Sequence, residues 1–448
     1  MNARPEVTAP TRWAFPEPET TTLSNGLTVQ LYDVPGQYVL AARLVVPLAL
    51  RDEPRDREGV ATLMARLLDE GTTRHTTEEF TELLERKGIA FGAGLSDGGL
   101  SVDADVAQRR LGEALGLMRD AVATPSFPEK EFRRLVRTRL AEIEQERASA
   151  THRGAREFAA TYFDPTERAS RPSAGTASTL KHLTRADVVD FHARFVAPNA
   201  ATLVIAGDLT GVDVHRLVEE TLGTWPANPG TATPPRQPSA RATDAARIVL
   251  VDRPDSVQSD ITVGWDGPDR HVSPEWAPFP VLGFVIGGSP NARVDAVLRE
   301  DKGYTYGMRS SFRPRSRGGL FLTNGSVRTE VTGESLRLLL DILDGARDGL
   351  SPQECRDGVD FIRNTAPGRF ATADAIADEA AALALDGLPP TFTTANLDAM
   401  SDLTDADLTA AYARFVEGTW TIVVVGNAEA YAAQLRDLGR GEVTIVPN

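Results

Sequence analysis

The strongest constraint on this chain is an internal duplication. Residues 183–196 read LTRADVVDFHARFV and residues 403–416 read LTDADLTAAYARFV, with the LT and ARFV portions both displaced by 220 positions. Each copy opens on a Thr suited to capping a helix N-terminus and continues with an apolar stripe. The stretches immediately C-terminal to the two copies match in kind: ATLVIAGD from Ala201 and WTIVVVGN from Trp420 are short β-rich runs carrying Gly207 and Gly426 at their ends. A helix-then-strand unit repeated in this way across 448 residues implies two tandem homologous domains. Between them, residues 225–239 (WPANPGTATPPRQPS) are rich in proline and small polar residues, which build no core and favour an extended spacer. The expected organisation is an N-terminal domain over 1–225, a linker over 226–244 and a C-terminal domain over 245–448.

Within the first half, residues 25–32 (NGLTVQLY) begin at a turn pair and then alternate, and residues 39–50 (VLAARLVVPLAL) form a longer β-rich run. Together they read as two antiparallel strands. In residues 59–70, Val60, Leu63, Met64, Leu67 and Leu68 fall on one helical face, and Gly71 stops the helix. Next come a helix over 77–87, strands near 89–95 and 100–104, and long helical stretches over 107–122 and 129–162. The second half repeats the outline: strands over 248–251 and 258–265, helices near 275–285 and 292–302, strands over 304–312 and 319–327, then helices from 333 to 386. Each half is thus expected to be α+β, an antiparallel sheet covered by helices.

Charge and residue usage narrow the function. With 48 Lys and Arg against 63 Asp and Glu, the formal charge is −15, a poor match for a phosphate backbone, so nucleic acid is not an expected partner. No apolar run approaches the roughly 18 residues a membrane span needs, and the first residues hold no apolar segment of signal-peptide type. The single cysteine, Cys355, allows no intramolecular disulfide and suits a reducing, cytoplasmic setting. It is expected on an exposed, acidic helix without a neighbouring base. None of the six histidines has a second one three or four positions away, the spacing that puts two imidazoles on one helical face for zinc. No GxSxG elbow or phosphate loop occurs, and Glu142, Glu144 and Glu146 read as solvated helix faces.

The chemically unusual stretch is residues 285–312, VIGGSPNARVDAVLREDKGYTYGMRSSF. A glycine turn, Gly287-Gly288, enters a short helix; Arg299 lies in its last turn, Gly303 ends it, and Tyr304, Thr305 and Tyr306 begin a strand. Taken alone, Arg299 reads as a residue complementing the helix dipole and the tyrosines as strand packing. A guanidinium and a phenol that converge could also polarise a carbonyl or stabilise an oxyanion.

The whole chain resembles the pitrilysin/insulinase family of zinc peptidases, in its processing-peptidase and bacterial two-subunit branch. The matching pieces occur in order: TLSNGLTVQL from Thr22, EGVATLMARLLDEGTTRHT from Glu58, PNAATLVIAGD from Pro198 and VIGGSPNARVDAVLREDKGYTYG from Val285. Members with catalytic zinc carry HxxEH on the first helix. Here that stretch is Thr62-Leu63-Met64-Ala65-Arg66, so both His positions and the Glu position are lost. The family's downstream carboxylate ligand would fall within residues 142–146. Its second signature, an Arg followed seven residues later by a Tyr, is kept as Arg299 and Tyr306, and Gly287-Gly288 resembles its glycine loop.

The resemblance therefore implies a non-zinc subunit of a heterodimeric metallopeptidase. Arg299 and Tyr306 would hold peptide substrate and stabilise the tetrahedral intermediate, with Gly287 and Gly288 also facing substrate. The chain alone would hold no metal and cleave nothing; zinc would belong to a homologous partner subunit bearing HxxEH. The rival expectation is a non-catalytic structural or peptide-binding scaffold subunit.

Overall fold

A computed structural model describes residues 9–231, 237–272 and 276–448. Residues 232–236 of the expected linker, and residue 275 where a helix is expected to begin, lie outside the described residues.

Two six-stranded sheets, each covered by helices, make up the fold. The first contains β1 (Glu19–Thr22), β2 (Thr28–Asp33), β3 (Val39–Pro47), β4 (Ala90–Leu95), β5 (Gly99–Ala107) and β6 (Thr202–Gly207), in the order β1-β2-β6-β3-β5-β4. The second contains β7 (Ile248–Asp252), β8 (Gln258–Gly267), β9 (Thr305–Pro314), β10 (Gly319–Arg328), β11 (Thr421–Gly426) and β12 (Val443–Pro447), in the order β12-β7-β11-β8-β10-β9. The duplicated strands β6 and β11 hold the third place in each order. The helices before them, Arg185–Phe195 and Asp405–Phe415, begin with the same device. Thr184 accepts the Asp187 amide and Thr404 the Asp407 amide, and each Asp carboxylate accepts from its Thr amide in return, at 2.8 and 3.0 Å.

The pairing corrects one expectation. β2 and β3 are not neighbours: β6 lies between them, parallel to β2 and antiparallel to β3. β7 likewise runs parallel to β11 and β12, so both sheets are mixed rather than antiparallel. A parallel neighbour needs a long crossover, and the helical excursion between β5 and β6 supplies it. Two helix limits also shift. The first helix spans Val60–Arg66, with Leu67 and Leu68 buried in the turn after it. The stretch 129–162 splits into Glu129–Ala148 and Ala150–Tyr162, because the Ser149 hydroxyl caps the second helix by accepting the His152 amide.

The halves interlock by exchanging helices. Ala373–Asp386, from the second half, lies on β3 and β6 of the first sheet, burying Ile376, Ala377 and Ala380 against Val45, Val204 and Ala206. Its alanines allow close approach. Arg43 on β3, buried beneath it, reaches Asp378 and Asp105, both at 2.7 Å. Reciprocally, Ala150–Tyr162 covers β8 and β11 of the second sheet, where Phe158 and Tyr162 pack with Val423, Val425 and Leu322. Thr151 donates to Asp260 at 2.9 Å and Tyr162 to Asp266. The end of the linker is docked rather than a free spacer. The Ala242 amide donates to the Tyr162 carbonyl at 2.8 Å, the Asp164 amide to the Ala240 carbonyl at 3.0 Å, and the Arg241 guanidinium lies 3.4 Å over the Trp265 ring. No helix among the described residues is long and apolar enough to cross a membrane.

Candidate functional site

The Val60–Arg66 helix begins at Gly59, whose φ of 103° is left-handed and whose Cβ would lie 2.9 Å from the Ala174 carbonyl, so only glycine fits. Val60, Ala61, Leu63, Met64 and Ala65 turn into the core. The Glu53 carboxylate sits at the helix N-terminus, accepting the Gly59 and Ala61 amides at 3.0 Å each, where a negative charge complements the helix dipole. Arg168 holds the other Glu53 oxygen at 2.9 and 2.8 Å, and Arg171 grips Glu58 at 2.8 and 2.9 Å. Nothing in the local sequence signals these buried ion pairs, because their partners lie more than a hundred residues apart.

At Thr62, Ala65 and Arg66, where the resemblance places HxxEH, the side chains are otherwise engaged. The Thr62 hydroxyl donates to the Ser173 carbonyl at 3.4 Å, and Ala65 is buried. Arg66 donates from Nη1 to both Glu142 oxygens at 2.9 and 3.0 Å; Arg139 also reaches Glu142, at 3.0 Å, and Glu146, at 2.6 and 3.0 Å. Burial pushes the Glu142 pKa up, but the Arg66 and Arg139 hydrogen bonds outweigh it and hold the carboxyl below its usual range. Glu142 and Glu146 are therefore not simple solvated faces, as their spacing suggests. They are consumed by guanidinium groups, while Glu144 does stay largely exposed. A guanidinium has no lone pair to give a metal, so these residues do not fit zinc. Arg66 instead supplies positive charge opposite the carboxylate. Among the described residues, no group of three or more His, Cys, Asp or Glu side chains is placed to hold a metal ion.

Arg299 and Tyr306 flank a tight turn. The helix Pro278–Gly283 widens into a π-turn over Phe284–Gly288, and a second π segment, Ala296–Asp301, carries Arg299. Such widened turns recur at functional sites. Gly303, with φ of 62°, ends this segment; its amide donates to the Arg299 carbonyl at 3.1 Å and the Tyr304 amide to the Leu298 carbonyl at 2.8 Å. Tyr306 stands at the start of β9, an edge strand, and is 95% exposed. Arg299 is 40% exposed by side chain and pairs with its neighbour Glu300 at 3.4 Å. The structure thus brings the two to one end of the sheet without pairing them. Tyr304 packs against the core and donates to Glu334 at 2.9 Å. Gly287 is buried, and a Cβ there would lie 2.5 Å from Ser310 Oγ, so it lets the helix touch β9; Gly288 is exposed at the same turn.

Just before this segment, Arg293 anchors the chain to the Pro352–Arg369 helix through Glu354, Nη2 to Oε2 at 2.7 Å. The Arg293 hydrogen bond holds the Glu354 pKa down to about 2. The folded state therefore favours the ionised carboxylate. Its contribution is complete above about pH 4.5, the ordinary value, and is lost as pH falls towards 2. Urea titrations across that interval should show a shallower loss of stability with falling pH in Arg293→Met than in the native chain. Equal slopes would mean that the pair contributes nothing. Next to Glu354, Cys355 is buried rather than exposed; its thiol donates to the Leu403 carbonyl at 3.4 Å, and burial pushes its pKa up.

Comparison with known families decides the affiliation. The profile described as insulinase (peptidase family M16) matches residues 29–169, and the one described as peptidase M16 inactive domain matches residues 182–360. The chain belongs to peptidase family M16. Among its M16 relatives, an uncharacterized zinc protease of Mycobacterium tuberculosis is 25% identical over 339 residues, covering 75% of this chain and 77% of that protein. A non-peptidase homolog, YmxG, of Helicobacter pylori is 21% identical over 322 residues, covering 71% and 72%. The M16 fold is shared with the crystal structure of a peptidase M16 inactive domain from Pseudomonas fluorescens. The TM-score there is 0.84, with 22% identity over 92% of this chain and 98% of that one. This M16 chain therefore keeps the two-sheet fold of that structure.

Proposed function

We propose that this chain is the metal-free subunit of a two-subunit M16 peptidase, presenting Arg299 and Tyr306 to a peptide bound over the zinc of a homologous HxxEH subunit. The observation that carries this reading is a contrast within one chain. Arg66 on the first helix is paired with Glu142, which supports the absence of a zinc site there, whereas Tyr306 stands 95% exposed on an edge strand with Arg299 at the turn beside it. An exposed phenol, and a guanidinium paired only with its neighbour Glu300, can donate to a carbonyl oxygen as it gains charge. Exposed Gly288 is assigned to the substrate backbone. Zinc in the partner would supply the activated water and the Lewis acid. A cytoplasmic location accompanies this reading. The purified chain should hydrolyse nothing alone. Mixed with an HxxEH homologue from the same organism, it should cleave unfolded peptides, and a chelator should abolish that activity. Hydrolysis by the chain alone after chelation, or a homologue equally active without it, would remove the basis for the assignment.

A second reading, a non-catalytic scaffold, is favoured by the name of the Helicobacter relative as a non-peptidase homolog. It predicts a stable complex with the homologue and no gain in hydrolysis.

A further inference from the structure

We propose that Asp295 is the positioning residue of the Arg299–Tyr306 pair, acting through a β-bulge that aims the Tyr306 phenol; this rests on the function proposed above for those two groups. On β9 and β10 the ladder pairs Met308 with Gly325 and Thr305 with Val327. Two residues of β9, Tyr306 and Gly307, therefore oppose the single residue Ser326. Strand side chains alternate, so in a regular strand without the bulge Tyr306, two residues before Met308, would share its inward face. With it, Thr305 and Met308 are both buried and Tyr306 turns outward. A bulge is a recurrent device for re-aiming a side chain.

The bulge is held from two sides. The Thr305 hydroxyl donates to the Ser326 carbonyl at 2.8 Å and accepts the Gly307 amide at 3.1 Å. Gly307 has φ of 155°, and a Cβ on Gly325 would come 2.9 Å from the Gly307 carbonyl, so the crossing requires both glycines. From the helix side comes Asp295, wholly buried among residues of the second core such as Val294, Leu298 and Met308. One of its oxygens accepts the Met308 amide at 2.8 Å, and the other pairs with the Arg309 guanidinium. Asp295 lies one helical turn before Arg299 and contacts the strand just after Tyr306. It ties the segment carrying one group to the strand carrying the other. A buried carboxylate is costly unless fully paired, and here both oxygens are spent on the strand next to the bulge.

The test uses the full chain with 3-fluorotyrosine at position 306, alone and in complex with the HxxEH homologue. Asp295→Asn keeps an acceptor for the Met308 amide but removes the charge facing Arg309. Asp295→Ala removes both, and Arg309→Met, at a half-exposed guanidinium, removes one arm should the alanine variant not fold. The fluorine resonance should shift and broaden in all three. In the complex, kcat should fall by about 100-fold in Asp295→Ala and by about tenfold in Asp295→Asn, with KM unchanged, the pattern of a misplaced rather than a missing group. Native kcat and an unmoved resonance in the variants that fold would overturn the proposal. Should Arg299→Ala and Tyr306→Phe prove fully active in the same assay, the functional reading fails, and the resonance alone then decides whether Asp295 sets the position of Tyr306.

Discussion

Arg299→Ala and Tyr306→Phe should each lower the kcat of the complex with the HxxEH homologue by about 10²–10³-fold, equivalent to roughly 3–4 kcal/mol of lost charge stabilisation. The reason is chemical. Hydrolysis of an amide places negative charge on the carbonyl oxygen, and a donor aimed there is worth most where water is excluded. The same substitutions should leave folding stability within about 0.5 kcal/mol of native, as surface changes do, because Tyr306 is 95% exposed and Arg299 pairs only weakly with Glu300 across 3.4 Å. Steady-state kinetics beside chemical denaturation separate the two effects. A variant that loses activity only in proportion to its loss of stability would show that these groups support the fold rather than the reaction. Native activity in both would leave the scaffold reading in possession of the field.

The largest stability effect belongs to Glu53. Its side chain is 0% exposed and that of Arg168 is 7% exposed, and the pair closes over the N-terminus of the Val60–Arg66 helix. Glu53→Ala strands the buried guanidinium and leaves the Gly59 and Ala61 amides without their acceptor. Breaking one side of a buried pair costs about 3–5 kcal/mol. Glu58 cannot take over. It is 3.8 Å from Arg168 and already held by Arg171 at 2.7 Å. The double variant Glu53→Met/Arg168→Met should recover part of the loss, since apolar residues of similar volume leave no stranded charge, although the two amides remain unsatisfied. Urea denaturation of the single and double variants measures the difference. A double variant less stable than either single one would contradict this origin of the effect.

Much of the fold is legible in the sequence because its determinants are local. The β-rich run VLAARLVVP places β3 at Val39–Pro47, and the Thr77–Lys87 helix is held at its start by a capping box of Thr76 and Glu79, three residues apart. Local signals fail where a distant partner decides. Cys355 has acidic neighbours in sequence but is buried in the second core. Glu142 looks like one carboxylate in a charged run until Arg66, 76 residues earlier, is seen to hold it. The bulge at Tyr306 and Gly307 cannot be read from YTYG, because it is defined by the count of residues on β10 opposite.

By itself, the sequence settled the 220-residue repeat, the α+β character of each half and the residues Thr62, Ala65 and Arg66 on the first helix. These rest on residue identity and short-range periodicity, which act within a turn of helix or a few residues of strand. Only the tertiary structure decided that β6 and β11 insert between earlier strands, that each half lends a helix to the other's sheet, that the Arg66 guanidinium pairs with Glu142, and that Tyr306 faces outward. Each of these depends on which surfaces meet across many tens of residues. That choice is made by burial of apolar area and by satisfaction of buried charge over the whole molecule, and no local stretch encodes it.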